Sequence, residues 1–153
     1  MPRPTPHDGR VSTKQTVEEL LRRIAEGDPE RIGQMFADEV DWKVDWPEGD
    51  YSRTVPWIRH RSTRADAADN FREIGEHHVP GESTVRVDAV LVDGPDAVAL
   101  GELAHTAKPT GRSYSGGYAL RVTVVDGSIT RFHVYEDSLA VARAFGVVQV
   151  HDR

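Results

Sequence analysis

Apolar positions along this chain switch between a helical and a strand period, and the switches mark out its elements. Val17, Leu20, Leu21 and Ile24 fall at i, i+3, i+4 and i+7, the spacing of one helical face. This predicts a first helix over 16–26, ended by Gly27. Asp28-Pro29 then offers an N-cap and a proline at the first helical position, with Ile32, Met35 and Phe36 as the stripe of a short second helix. Two helices meeting at so tight a corner form an αα-hairpin able to lid an apolar space. From Val40 the period drops to two. Val40, Trp42, Val44 and Trp46 alternate with Asp41, Lys43 and Asp45, which predicts a half-buried strand with its tryptophans inward.

The stretch 47–56, with its prolines, Gly49 and Asp50, reads as a loop. Ser62 or Thr63 can cap a third helix, and Thr63 with Asp66 has capping-box spacing. Ala67, Ala68, Phe71, Ile74 and His78 share a face of that helix, and Pro80-Gly81 stops it. Strand periods take over after that. Val85, Val87, Ala89 and Leu91 alternate with Thr84, Arg86, Asp88 and Val90. Turns at 93–96 and around 108–112 separate this strand from a second over 97–107 and a third ending at Val125. Asp126-Gly127 is a two-residue hairpin signal leading to a fourth strand over 128–136, and Asp137 or Ser138 caps a short last helix from Leu139 to Phe145. Helices gathered toward one end and strands toward the other give an α+β class, not alternating βαβ units. A strongly curved antiparallel sheet packed on three N-terminal helices would form a cone, and its mouth would be the place for a ligand.

Composition narrows the function. The 153 residues suit one domain, expected over 14–147 between a disordered leader (1–13) and a tail (148–153). A net charge of -6 without a basic stripe argues against nucleic acid. The absence of cysteine removes thiolate nucleophiles, disulfides and Cys-bearing metal sites. No apolar run is long enough to cross a bilayer and no secretory leader is evident, so the expected location is the cytoplasm and no membrane partner is expected. No metal site is expected, because His77 and His78 are adjacent and point apart on a helix. Gly116-Gly117 sits in a strand pattern and reads as a bend, not a nucleotide loop. No cofactor is expected either.

Several segments together carry a family resemblance: Gly27-Asp28-Pro29-Glu30-Arg31-Ile32 with 35–40, Val55-Pro56-Trp57 ahead of a capped helix, 110–114, 126–129, and Tyr135-Glu136-Asp137. In this order the chain resembles the SnoaL-like family of the nuclear transport factor 2-like superfamily, which includes ketosteroid isomerases. The resemblance implies a cone-shaped fold, a hydrophobic carbonyl-bearing substrate of polyketide or terpenoid type, cofactor-independent chemistry and a homodimer. It also implies catalytic positions that this sequence leaves empty. Alignment on Gly27-Asp28 puts Leu20 at the isomerase tyrosine, Val44 at its base, and Ala119 or Leu120 at its oxyanion aspartate, the arrangement known for that enzyme. The relay of limonene-epoxide hydrolases would fall on Glu102, Ala104 and Val134, and the acid of SnoaL-type cyclases in the 119–120 region.

The chain's own polar residues must therefore supply any chemistry. If Val98, Leu100, Glu102 and Ala104 are the inward set, Glu102 is an acid on an apolar wall, and desolvation raises its pKa toward the range useful for proton transfer. The alternative is an ion pair with an arginine such as Arg121 or Arg131. His105 faces away from Glu102 by strict alternation, and His133 shares a face with Arg131 and Tyr135; either is a candidate acid/base or a structural histidine. Tyr118 lies with Leu120, Val122 and Val124, placed to donate to a substrate carbonyl or to sit in the core. Trp42, Trp46 and Trp57 are candidate aromatic walls, with Phe71, Leu100, Phe132 and Val134 as further wall residues. Arg59, beside His60 and Arg61, is a candidate anion contact at the start of the third helix. The expected function is an isomerase-, cyclase- or dehydratase-like small-molecule enzyme. A non-catalytic binding or dimeric interaction domain is the alternative, with an epoxide hydrolase as a third possibility.

Overall fold

The computed structural model describes residues 12–147, so the expected leader and tail lie almost wholly outside the described residues. Ser12 and Thr13, counted with the leader, belong instead to the first helix. Helix α1 (Thr13–Glu26) opens on a reciprocal cap in which Ser12 Oγ accepts from the Gln15 N–H at 3.1 Å and the Gln15 side chain accepts from the Ser12 N–H at 3.0 Å. Helix α2 (Pro29–Gly33) starts as expected, with Asp28 accepting from the N–H groups of Glu30 and Arg31. It ends before Met35 and Phe36, which the helical stripe had included. The Met35 carbonyl accepts from the Ile129 N–H at 2.9 Å, so the sheet takes this backbone, and strand β1 (Phe36–Val44) begins there.

Helix α3 (Arg64–Glu76) has the expected capping box, with Thr63 and Asp66 exchanging side-chain to backbone bonds at 3.1 Å. Strands β2 (Thr84–Asp93), β3 (Asp96–Thr106), β4 (Ser113–Val125) and β5 (Ser128–Glu136) follow as a meander, and α4 (Ser138–Phe145) closes the described chain. The sheet order is β1-β5-β4-β3-β2. It is mixed, not antiparallel throughout, because β1 lies parallel to β5. The crossover through α3 carries the chain from one edge of the sheet to the other, which lets β1 dock on β5 in the same direction.

Cross-strand register sorts the inner face into rungs. The first runs Trp42, Phe132, Val122, Ala97, Val92, and the second Val44, Val134, Leu120, Ala99, Val90. Helix α1 covers this end, and Val17, Leu20, Ala97, Ala99 and Val122 are buried in one core cluster. A second, separate cluster lies at the other end, where α4 (Val141, Ala144, Phe145) packs on Val55, Trp57, Ile58 and Ala107. Between them come the rungs Glu136, Tyr118, Gly101, Val87 and then Gly116, Leu103, Val85. Val85 and Val87 are exposed, and the others with side chains are half-buried. The inner face is thus closed at both ends and open in the middle.

Two glycines permit this shape. β2 bulges between Val87 and Ala89, which bends the strand and pushes the Arg86 carbonyl over β3. A Cβ on Gly101 would lie 1.8 Å from that oxygen. At Gly116 a Cβ would lie 2.9 Å from the Asp137 Cβ, so the missing side chain is what lets the start of α4 cross the sheet.

The same bulge corrects the expected face of β2. Val85 and Val87 point inward, but beyond the extra residue Val90 and Val92 take the inner face and Ala89 and Leu91 the outer. The face of β3 is also reversed. Ala97, Ala99, Gly101, Leu103 and His105 point inward, while Val98, Leu100, Glu102 and Ala104 point outward. Small residues are inside because Val17 and Leu20 of α1 fill the space above them. Among the described residues no helix is long and apolar enough to cross a membrane.

Candidate functional site

Along the inner face lie three half-buried titratable groups, Glu136, Tyr114 and His105, with the buried His78 beside them. Glu136 ends β5 directly across from Tyr118 on β4. Burial pushes its carboxyl up to about 7, the Trp46 indole N–H working against the rise and the Asp137 charge adding to it. Trp46 Nε1 is buried and closes no hydrogen bond of normal length. An acid of this kind exchanges a proton near neutral pH, which an exposed glutamate does not.

Beyond Glu136 lies a hydrogen-bonded cluster. Tyr114 Oη is 2.7 Å from His78 Nε2, and His78 Nδ1 is 2.6 Å from the Ile74 carbonyl of α3. The His105 ring lies tilted against His78 with centroids 4.5 Å apart, and its Nδ1 is 2.7 Å from Ser83 Oγ. Burial lowers the pKa of His105 to about 4, with the neighbouring His78 adding to the fall. Burial also lowers His78, against the support of its Ile74 bond. The Tyr114 hydroxyl is pushed well up by burial and by the charge of Glu136. At neutral pH both rings are therefore neutral. Trp57 and Phe145 wall the cluster at 5.1 and 5.4 Å from His78. On the opposite side of the opening, Trp42 stacks on Phe132 at 4.5 Å, with Phe71 edge-on to both.

Several expected site residues are brought together here and others are not. Trp42, Phe71, Phe132 and Val134 lie on or against the inner face, as do Trp46, Tyr118 and His105. Trp57 is buried in the core cluster beneath α4 and is less of a wall than expected. Tyr118 does not hold its proton ready for a carbonyl: its hydroxyl donates to the Arg86 carbonyl at 3.1 Å. Glu102 is not an interior acid. It lies on the outer face with its side chain 59% exposed, 3.3 Å from Arg86, so the ion-pair alternative holds, with a different arginine. Leu100 shares that outer face, 37% exposed. His133 is also outside, its Nε2 3.0 Å from Asp41. Arg59 is exposed, donating to the Pro56 carbonyl and 3.9 Å from Glu73. Among the described residues no three His, Asp or Glu side chains form a group that would hold a metal ion.

Sequence reasoning named Glu136 and Tyr114 only as landmarks, and His78 only as a helix-face residue and as one of an adjacent histidine pair unsuited to a metal. The Asp126-Gly127 hairpin alone would set Tyr135 across from Tyr118. An extra residue in β5 between Ile129 and Arg131 shifts the register by one and brings Glu136 to the inner face, so alternation along the sequence did not reveal it. The tertiary bond between His78 and Tyr114 had no local trace.

The SnoaL-like domain model matches residues 17–132. The chain belongs to the SnoaL-like family. Solved structures share the fold of this SnoaL-like chain. One is an NTF2-like protein of Burkholderia thailandensis, 23% identical, with a TM-score of 0.74 over 88% of this chain and 97% of the other. A proposed isomerase of Bacillus subtilis is 19% identical, with a TM-score of 0.71 over 92% and 100%. TerC, crystallised with polyporic acid, is 16% identical, with a TM-score of 0.71 over 88% and 98%. No curated protein matches the sequence. A shallow, open hollow of about 580 Å³ in the SnoaL-like chain is lined by Leu100, Glu102, Ala119 and Tyr135 of the outer face together with Tyr118 and Glu136.

Proposed function

We propose that this SnoaL-like chain is a small-molecule enzyme that isomerises, cyclises or dehydrates a hydrophobic carbonyl compound by moving a proton, without a cofactor. The observation that carries the reading is the place of Glu136, a half-buried acid across from Tyr118 on an apolar inner face, where burial pushes its carboxyl up to about 7. In its ionised form it takes a proton from carbon beside a carbonyl, and in its protonated form it returns it. Trp42 and Phe71, half-buried and edge-on to each other in front of the buried Phe132, supply the apolar contact surface that orients the skeleton. Glu136 thus takes the role expected of Glu102.

The test follows deuterium exchange at the carbon beside the carbonyl across a panel of hydrophobic ketones, by proton NMR. Glu136→Gln is expected to slow exchange by about 100-fold or more, the usual share of a general base. Exchange at an unchanged rate in Glu136→Gln would remove the acid from the mechanism. The non-catalytic reading draws support from the apolar side chains at the family's catalytic positions, Val44, Leu120 and Val134. It predicts binding without any exchange. We also infer that a second copy of the chain covers the outer face.

A further inference from the structure

The direction of the bonds between Ile74, His78 and Tyr114 is fixed from one end. A carbonyl oxygen only accepts, and the Ile74 carbonyl lies 2.6 Å from His78 Nδ1, so that nitrogen carries the hydrogen. The reverse tautomer would press a nitrogen lone pair against the oxygen lone pairs at that distance. His78 Nε2 is then a lone pair, unless the ring is cationic. A cation here would sit among Trp57, Phe145 and His105, and no carboxylate acts on it. The Tyr114 hydroxyl, 2.7 Å away, must therefore donate to His78. Tyr118 likewise donates to the Arg86 carbonyl. Tyr114, across from the inward His105, and Tyr118 are both half-buried on this face; they spend their protons inside the protein and leave only lone pairs to a neighbour.

We propose that Tyr114 meets the bound molecule as a hydrogen-bond acceptor, so that the molecule brings a hydroxyl to the Tyr114 end of the opening as well as a carbonyl to Glu136. The inference rests on the proposed function and narrows its substrate class to hydroxylated ketones, phenolic ones included. His78 is the positioning residue: it touches no substrate but sets which way the Tyr114 hydroxyl points. A ligand with an ether in place of the hydroxyl sets two acceptors against each other and loses the bond.

Two probes that differ at one atom test this, 6-hydroxy-2-acetylnaphthalene and its 6-methoxy counterpart, by fluorescence titration. The wild-type chain is expected to bind the hydroxy probe about tenfold tighter, one hydrogen bond's worth. Tyr114→Phe is expected to bring the two within about twofold. Equal affinities in the wild type, or a preference for the ether, overturn the inference. Nitrogen-15 NMR of the His78 ring checks the bond direction without any ligand. The Nδ1–H neutral tautomer is expected at pH 7.5, and an Nε2–H or doubly protonated ring refutes the chain as drawn. Binding of neither probe would take down the ligand site itself. A hydroxyl preference without proton exchange would remove the catalytic reading and leave this one standing.

Discussion

Glu136 holds its proton up to about pH 7 only because the folded chain keeps its carboxyl from water. In the unfolded chain it ionises near 4.5, so between those values the folded state binds more protons than the unfolded one. Stability from this residue is present below about 4.5 and is lost as pH rises to about 7. The lowered pKa values of His78 and His105 act with the opposite sign, removing stability as pH falls below 6.5. Glu136→Gln isolates the acid, since both histidines remain. The variant is expected to exceed wild type in stability at pH 8 by on the order of 2–3 kcal/mol and to lose that margin by pH 4. Urea unfolding at the two pH values measures it, and a margin independent of pH would mean that the carboxyl is hydrated. Gly101 is constrained by space at the same scale. A Cβ there meets the Arg86 carbonyl at 1.8 Å, and that oxygen is backbone and cannot swing aside. Gly101→Ala is expected to cost about 2 kcal/mol or more, read by the same unfolding assay.

Among the elements, the caps were the most legible from sequence, because a cap is a bond between neighbours in the chain. Thr63 and Asp66 show it: the expected box is the observed one, and Thr63→Ala is expected to lower stability by about 1 kcal/mol in a denaturant titration. Strand faces were less legible. In β3 both alternate sets are apolar or small, so periodicity alone does not say which is inside, and size misleads. Val98 and Leu100 look like core, yet Ala97 and Ala99 are buried because a helix sits close on them. The β2 bulge is a second case, since Asp88 inserts one residue and exchanges the faces of everything after it. The candidate site inherited the first error. Glu102 was placed inside by the wrong set, and His105, its neighbour by three, was placed outside and proved to be inside. Glu136 escaped notice because its strand ends on Tyr135-Glu136-Asp137, where the sequence looks like a polar turn. The Trp46 indole beside that carboxyl comes from a segment far away in sequence.

At the scale of the whole molecule, the outer face is what the fold leaves uncovered, since helices pack on the inner face. Leu91, Leu100 and Tyr135 are 59%, 37% and 36% exposed there, and Leu100 and Tyr135 border the open hollow with Ala119. Charges of both signs surround them: Arg86 with Asp88 and Glu102, Arg131 and His133 with Asp41, Lys43 with Asp45. A twofold axis through such a patch brings apolar residues onto apolar residues and lets each charge meet its opposite, as a self-complementary interface requires. Sedimentation at micromolar concentration is expected to give twice the 17.0 kDa mass of one chain. Leu100→Asp is expected to halve that value with the circular dichroism unchanged, because Leu100 is on the surface of a single copy and its removal opens no cavity. A wild-type chain that sediments as a monomer across this range would leave the outer face without a partner of its own kind. An unchanged dimer in Leu100→Asp would place the contact elsewhere. Since β5 supplies Tyr135 to the outer face and Glu136 to the inner one, a dimer built on this patch would brace the strand that holds the acid. The Leu100→Asp monomer is accordingly expected to lose proton-exchange activity together with its partner.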